Sequence, residues 1–252
     1  MITASWIELL KLRRARTVWI VNAVGCIIPI MTAAAIVSIR LAAPTAEASE
    51  VESLLPILNA DWDVFMQINA QLLLQAGLML LSLMAAFIFA REYRENTYVS
   101  LMMLPGGRWR TVVAKFVALF IWITLLAGTQ LLIALALGML IGIGTLSAEA
   151  VVLGFRYIVV IAWLFFLTMP VISLFACLGR GYLAPMSLAT GALIATMPLS
   201  TSEFIYWMPW AIPTAYAIEG SLPLVAVAVL AVTFLLGVVG TVIHYYAADT
   251  KL

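Results

Sequence analysis

Apolar residues in this chain gather in long unbroken runs instead of alternating with polar ones. Six runs lie near 18–39, 70–90, 114–142, 157–178, 183–200 and 222–246. A helix needs roughly 20 apolar residues to cross a bilayer. Barrel strands would show short segments of alternating character instead. The pattern therefore predicts an all-α polytopic membrane protein with six transmembrane helices in a single domain, 1–252. The fifth run is the shortest and is rich in small residues, with Pro185 and Pro198 at its ends. Within it, Ser187, Gly191 and Ala195 recur every four residues and predict a face for close helix packing. The first run follows "KLRRAR" and is too long for the apolar stretch of a cleavable signal peptide.

Composition supports this reading. Charged residues make up 10% of the chain and the mean hydropathy is +1.14, whereas a soluble domain carries about 25% charged residues. The net charge of +1 gives no sign of a nucleic-acid partner. Cys26 and Cys177 sit in separate apolar runs and read as small buried hydrophobes.

The charges that remain are unevenly placed. If the N-terminus is cytoplasmic and six spans alternate, eleven Lys and Arg residues fall inside and only Arg40 and Arg156 fall outside. The opposite orientation inverts that count, so the positive-inside rule places both termini in the cytoplasm. The outer segments then sum to −6. An acidic outer face attracts cationic peptides, although acidic residues also cross a membrane more freely than basic ones.

Between the second and third runs lies "REYRENTYVSLMMLPGGRWRTVVAK", on the cytoplasmic side of this topology. Residues 92–104 contain no Gly or Pro and predict a short surface helix, polar at its start and apolar later. Pro105 stops it, and Gly106 and Gly107 turn the chain. At the N-terminus, "SWIELLKLRRARTVWI" predicts a second short helix at the interface. Trp6, Leu9, Leu10 and Leu12 are expected to face lipid there, with Glu8 and Lys11 in water. Residues 199–221 hold Phe204, Tyr206, Trp207, Trp210 and Tyr216 with Pro209 and Pro213. This pattern reads as an aromatic interfacial belt or as a segment that dips into the membrane.

Several chemistries lack their residues. There is no G-x-x-x-x-G-K-[ST] loop to hold ATP, no Ser/His/Asp set and no metal cluster, and His244 is the single histidine. No ionisable residue falls at the middle of a run, as proton and sodium carriers usually require. The polar mid-run residues are Asn22, Gln75, Gln130 and Thr190, which suit either helix-to-helix hydrogen bonds or the lining of a substrate path.

The spacing Glu92, Thr97, Pro105, Arg108, Lys115 resembles the motif between the second and third spans of ABC-2 type permeases. The resemblance implies that this element is a coupling helix that docks on a separate ATP-binding subunit, through Glu92, Glu95, Thr97, Leu101, Pro105 and Arg108. "ELLKLRRAR" and "AREYRENT" are similar to the lantibiotic-immunity and bacitracin-resistance permeases of that group. In such permeases a re-entrant outer element occupies the position of 199–221. Phe204, Tyr206, Trp207 and Trp210, with Asn22, Gln75 and Gln130, would then form an outer gate or substrate path. The implied function is a permease subunit, not an enzyme, that expels an antimicrobial peptide across the bacterial plasma membrane. It would carry no cofactor itself, since ATP and magnesium belong to the partner subunit, and it would pair with a second permease copy or paralogue. Export of a lipid, drug or small metabolite is the alternative within the family; a non-transport membrane scaffold is the alternative outside it.

Overall fold

The computed structural model describes residues 2–42, 55, 57–94, 108–199 and 202–247. Its elements are almost all helical, because a bilayer core offers no water to satisfy a backbone and a helix satisfies its own. Helix α1 (Ile2–Arg14) breaks at Ala15 and α2 (Arg16–Ala42) follows. Helix α3 (Trp62–Leu72) passes through a π-helical turn (Leu73–Gly77) into α4 (Leu78–Arg94), and α5 (Arg108–Leu140) comes next. Helix α6 (Ala148–Gly154) passes through a second π-helical turn (Phe155–Val160) into α7 (Ile161–Leu178). After α8 (Leu183–Leu199), a 3-10 turn (Glu203–Trp207) and α9 (Ile212–Glu219) lead to α10 (Leu224–Ala247).

Five of these helical rods are long and apolar enough to cross a membrane. The sixth, α8, has 17 residues and spans about 25 Å, slightly short of a hydrocarbon core of about 30 Å. Its crossing follows from connectivity. Side chains of α1, the end of α4, the start of α5 and the end of α10 meet in one cluster. Both ends of the described chain therefore lie at the same end of the bundle, here called proximal, and an even number of crossings is required. The opposite, distal end is tied by Arg40, which donates to the Ile141 carbonyl (2.7 Å), and by Trp62, which donates to that of Thr145 (3.2 Å). The six apolar runs thus correspond to six helical rods. The second rod extends eight residues before its run, because Asp61 caps α3 by accepting from the Val64 amide.

Helix α7 lies at the centre, with Phe165, Met169, Ile172, Ala176 and Cys177 buried. Helix α10 approaches it closely at Gly237, where a Cβ would stand 2.5 Å from the backbone of Pro170 and Val171. Gln130 in α5 donates to the Gly25 carbonyl of α2 at 2.9 Å, a bond between helices.

Three local expectations require correction. Glu8 is buried and Lys11 is only partly exposed, so the polar side of α1 faces the bundle and not water. Trp6 and Ile7 are the exposed large apolar residues of α1, and Leu12 is in the core. The reversal arises because the Lys11 ammonium finds Glu92 on α4 and holds Glu8 beside it on α1. In α8 the buried face is Pro185, Ala189, Ala192 and Thr196, whereas Ser187 and Gly191 are exposed and nothing lies within 4 Å of a Cβ built at Gly191. The Ser187–Gly191 face therefore does not pack within this chain. Finally, Glu92 belongs to the membrane helix α4 and does not begin a separate surface helix. Residues 95–107 lie outside the described residues.

Candidate functional site

Two polar constellations interrupt the apolar bundle, one at each end. The proximal one is built from four helices. Glu92, in the last turn of α4, is 5% exposed. Its carboxylate stands 2.9 Å from the Lys115 ammonium and 3.7 Å from that of Lys11, and the Tyr245 hydroxyl of α10 donates to it at 3.5 Å. Lys11 also pairs with Glu8 at 2.6 Å. Lys115, two turns into α5, is fully buried. It donates to the Ile88 carbonyl at 2.8 Å and lies over the Phe89 ring. Among the described residues these ion pairs join two acids, Glu8 and Glu92, to two bases, Lys11 and Lys115. Bringing such charges out of water is expensive unless every partner is in place, so the cluster clamps α1, α4, α5 and α10 in one arrangement.

The distal constellation is a cavity with two lobes. One, of about 210 Å³, is lined by Gln71, Gln75, Leu193, Thr196, Trp210 and Thr214 among others. The other, of about 350 Å³, is lined by Gln67, Gln71, Tyr157, Thr214, Ala217 and Ile218 among others. Gln71, Leu74 and Thr214 belong to both, so the lobes adjoin. The walls come from α3, α8, α9 and both π-helical turns. A π turn inserts an extra residue and redirects the side chains after it, and such turns frequently mark functional sites. Here one presents Leu74 and Gln75 and the other presents Tyr157. Gln67, Gln71 and Gln75 are spaced by four and form one exposed amide face on a membrane helix. Trp210 contributes a buried indole N–H with no acceptor among the described residues.

The sequence-derived site residues divide between these places. Glu92 belongs to the proximal cluster. Of the other coupling residues, Glu95, Thr97, Leu101 and Pro105 lie outside the described residues, and Arg108 opens α5. Of the path residues, Gln75 and Trp210 meet at the same distal lobe. Phe204 and Trp207 are exposed and do not line it. Tyr206 packs on α9 and α10 and donates its hydroxyl to Glu219. That bond, followed by partial burial and the carboxylate's charge, pushes the Tyr206 phenol above its ordinary pKa of 10. Gln130 is committed to Gly25, and Asn22 lies three residues before that glycine with a buried side-chain oxygen. Neither reaches the cavity. The sequence reading missed Gln67, Gln71, Tyr157 and Thr214. The four-residue spacing of the glutamines was the signal that could have found the first two.

A family model described as "ABC-2 family transporter protein" matches residues 5–196. The chain is also similar to the bacitracin transport permease protein BCRB of Bacillus licheniformis, with 25% identity over 193 residues, covering 74% of this chain and 92% of that protein.

Proposed function

Because the chain belongs to the ABC-2 transporter family, we propose that it is the permease subunit through which a separate ATP-binding subunit drives an amphipathic antimicrobial peptide out of the membrane. In this reading the proximal end is cytoplasmic, as the distribution of Lys and Arg argues, and the distal cavity opens toward the outer leaflet. The observation that carries the proposal is the meeting of Gln75, Thr196 and Trp210 in one distal lobe. Amide and hydroxyl groups beside an indole suit a ligand with both a polar backbone and apolar side chains. The similarity to a permease named for bacitracin transport supports the same substrate class.

The proximal cluster is the mechanical half of the proposal. Residues 95–107, carrying Glu95, Thr97, Leu101 and Pro105, together with Arg108, form the docking surface for the ATP-binding subunit. Glu92 stands directly before that segment. A displacement of the docking segment therefore reaches Lys115 on α5, Lys11 on α1 and Tyr245 on α10 through one carboxylate. Two permease copies, identical or paralogous, complete the transporter.

The test is a resistance assay. Cells producing this chain with its ATP-binding subunit are compared with empty-vector cells for growth in bacitracin and in several lantibiotics. The expected result is a raised minimum inhibitory concentration for at least one of them, lost with Trp210→Ala at unchanged protein level. Equal inhibitory concentrations across the panel overturn the peptide reading and turn the search to lipids and drugs.

A further inference from the structure

Arg156 does not fit the pattern of the other charges. It lies in the π-helical turn between α6 and α7, toward the distal end, and is half-buried. Its guanidinium carbon is 5.3 Å from the centroid of the Tyr157 ring, and Tyr157 lines the larger lobe of the cavity. On its other side it fills the space where a Cβ would stand at Gly220, the left-handed residue (φ 74°) that ends α9. Gly220 follows Ile218, another lining residue, by two positions. Arg156 therefore stands at the edge of the larger lobe, in a niche that only glycine leaves open.

The contact with the Tyr157 ring uses none of the guanidinium's N–H donors as a hydrogen bond. Its Nε is buried without a hydrogen-bond partner among the described residues. Among the described acids at this end, Asp61 caps α3, Asp63 accepts from Gln67 at 2.7 Å, Glu219 accepts from Tyr206, and the exposed Glu149 and Glu203 form no ion pair with Arg156. A cation withdrawn from water is ordinarily paired. At the proximal end of this same molecule, Lys115 is.

We infer that the distal cavity binds the anionic head group of a lipid-like amphiphile, with Arg156 as the anchor for the anion and Gln67, Gln71 and Gln75 as the polar bed beside it. The inference rests on the reading of this cavity as the ligand path, but not on the ligand being a peptide. The fork of N–H donors matches the oxygens of a phosphate or carboxylate, the amides take further polar groups, and Leu74 and Ile218 offer apolar contact.

The experiment uses the purified full chain in detergent, without its partner subunit. The protein is incubated with equal amounts of phosphatidylglycerol and phosphatidylcholine carrying the same acyl chains, and the lipid that stays bound is measured by mass spectrometry. Wild-type protein is expected to retain phosphatidylglycerol about tenfold over phosphatidylcholine, the ratio that a charge-assisted hydrogen bond supplies, and Arg156→Lys a smaller preference, since an ammonium keeps the charge but lacks the fork. Arg156→Gln is expected to lose that preference. Equal retention by the wild type, or a preference unchanged in Arg156→Gln, overturns the inference. If Arg156→Gln does not survive purification, Gln71→Leu carries the test, since it removes an amide common to both lobes and keeps the charge; unchanged phosphatidylglycerol retention there overturns the inference as well. A parallel arm adds inorganic phosphate at matched ionic strength. Displacement of the lipid by phosphate overturns the amphiphile assignment and leaves a site for free anions. Because no growth assay is involved, failure here is distinct from failure of the resistance assay.

Discussion

The two ends of this bundle treat polarity in opposite ways. At the proximal end four charged side chains and a tyrosine are drawn inside and paired with one another. At the distal end three glutamines and an indole N–H border a cavity, and a guanidinium stands beside Tyr157 of its wall. Satisfied buried charge holds helices in register, because moving any one of them strands a partner. Polar groups that line a cavity without pairing to one another impose no such register and offer contacts to a ligand. The contrast suits a machine with a joint at one end and a receptor at the other.

The comparison is broken most severely at Lys115. Lys115→Met leaves Glu92 buried without its nearest partner, and we expect a loss of about 3–5 kcal/mol, read as a collapsed monodisperse peak and a lowered melting temperature in detergent. The double change Glu92→Leu and Lys115→Met removes both charges and should recover most of that loss. Recovery would mean that the pair serves coupling more than stability, and ATPase activity of the assembled transporter is then the informative readout.

A smaller effect is expected at Lys11, which is 37% exposed and lies farther from Glu92. Lys11→Ala should cost about 0.2–1 kcal/mol, after allowance for screening by solvent. A loss as large as that at Lys115 would show that α1 is clamped as firmly as α5. At the distal end, Gln71→Leu and Gln75→Leu should change stability by no more than about 0.5 kcal/mol while lowering peptide resistance. A melting temperature that falls with either would make the amide face structural and erase the contrast between the ends.

The smallest effect concerns Tyr206. Its phenol is held above the ordinary value by its bond to Glu219. The contribution of that bond is present below the unfolded pKa, about 10, and is lost as pH rises through the elevated folded value. Comparing tyrosinate absorbance of wild type and Tyr206→Phe above pH 10 should reveal one phenol that titrates late. No late component in the difference would mean that the bond does not persist in solution.

Hydropathy alone determined the helical class and located six apolar runs, five of them helices long enough to cross a membrane, because a bilayer admits few other structures for such runs. Motif spacing pointed to the ABC-2 family through Glu92 and the residues after it, and the family match bears that out. What a linear pattern does not determine is which way a polar side chain turns when water and a buried partner compete for it. Glu8 and Lys11 read as a water-facing edge until α4 supplied Glu92, and Glu92 read as a solvated helix end until α5 supplied Lys115. Gln75 and Gln130 were alike in the sequence as polar residues within apolar runs. Only the packing of the bundle sent Gln130 to the Gly25 carbonyl and Gln75 to a cavity. The physical reason is the same in each case: a polar group in an apolar bundle is stabilised by whatever partner lies within about 3 Å, and that partner is set by long-range helix packing.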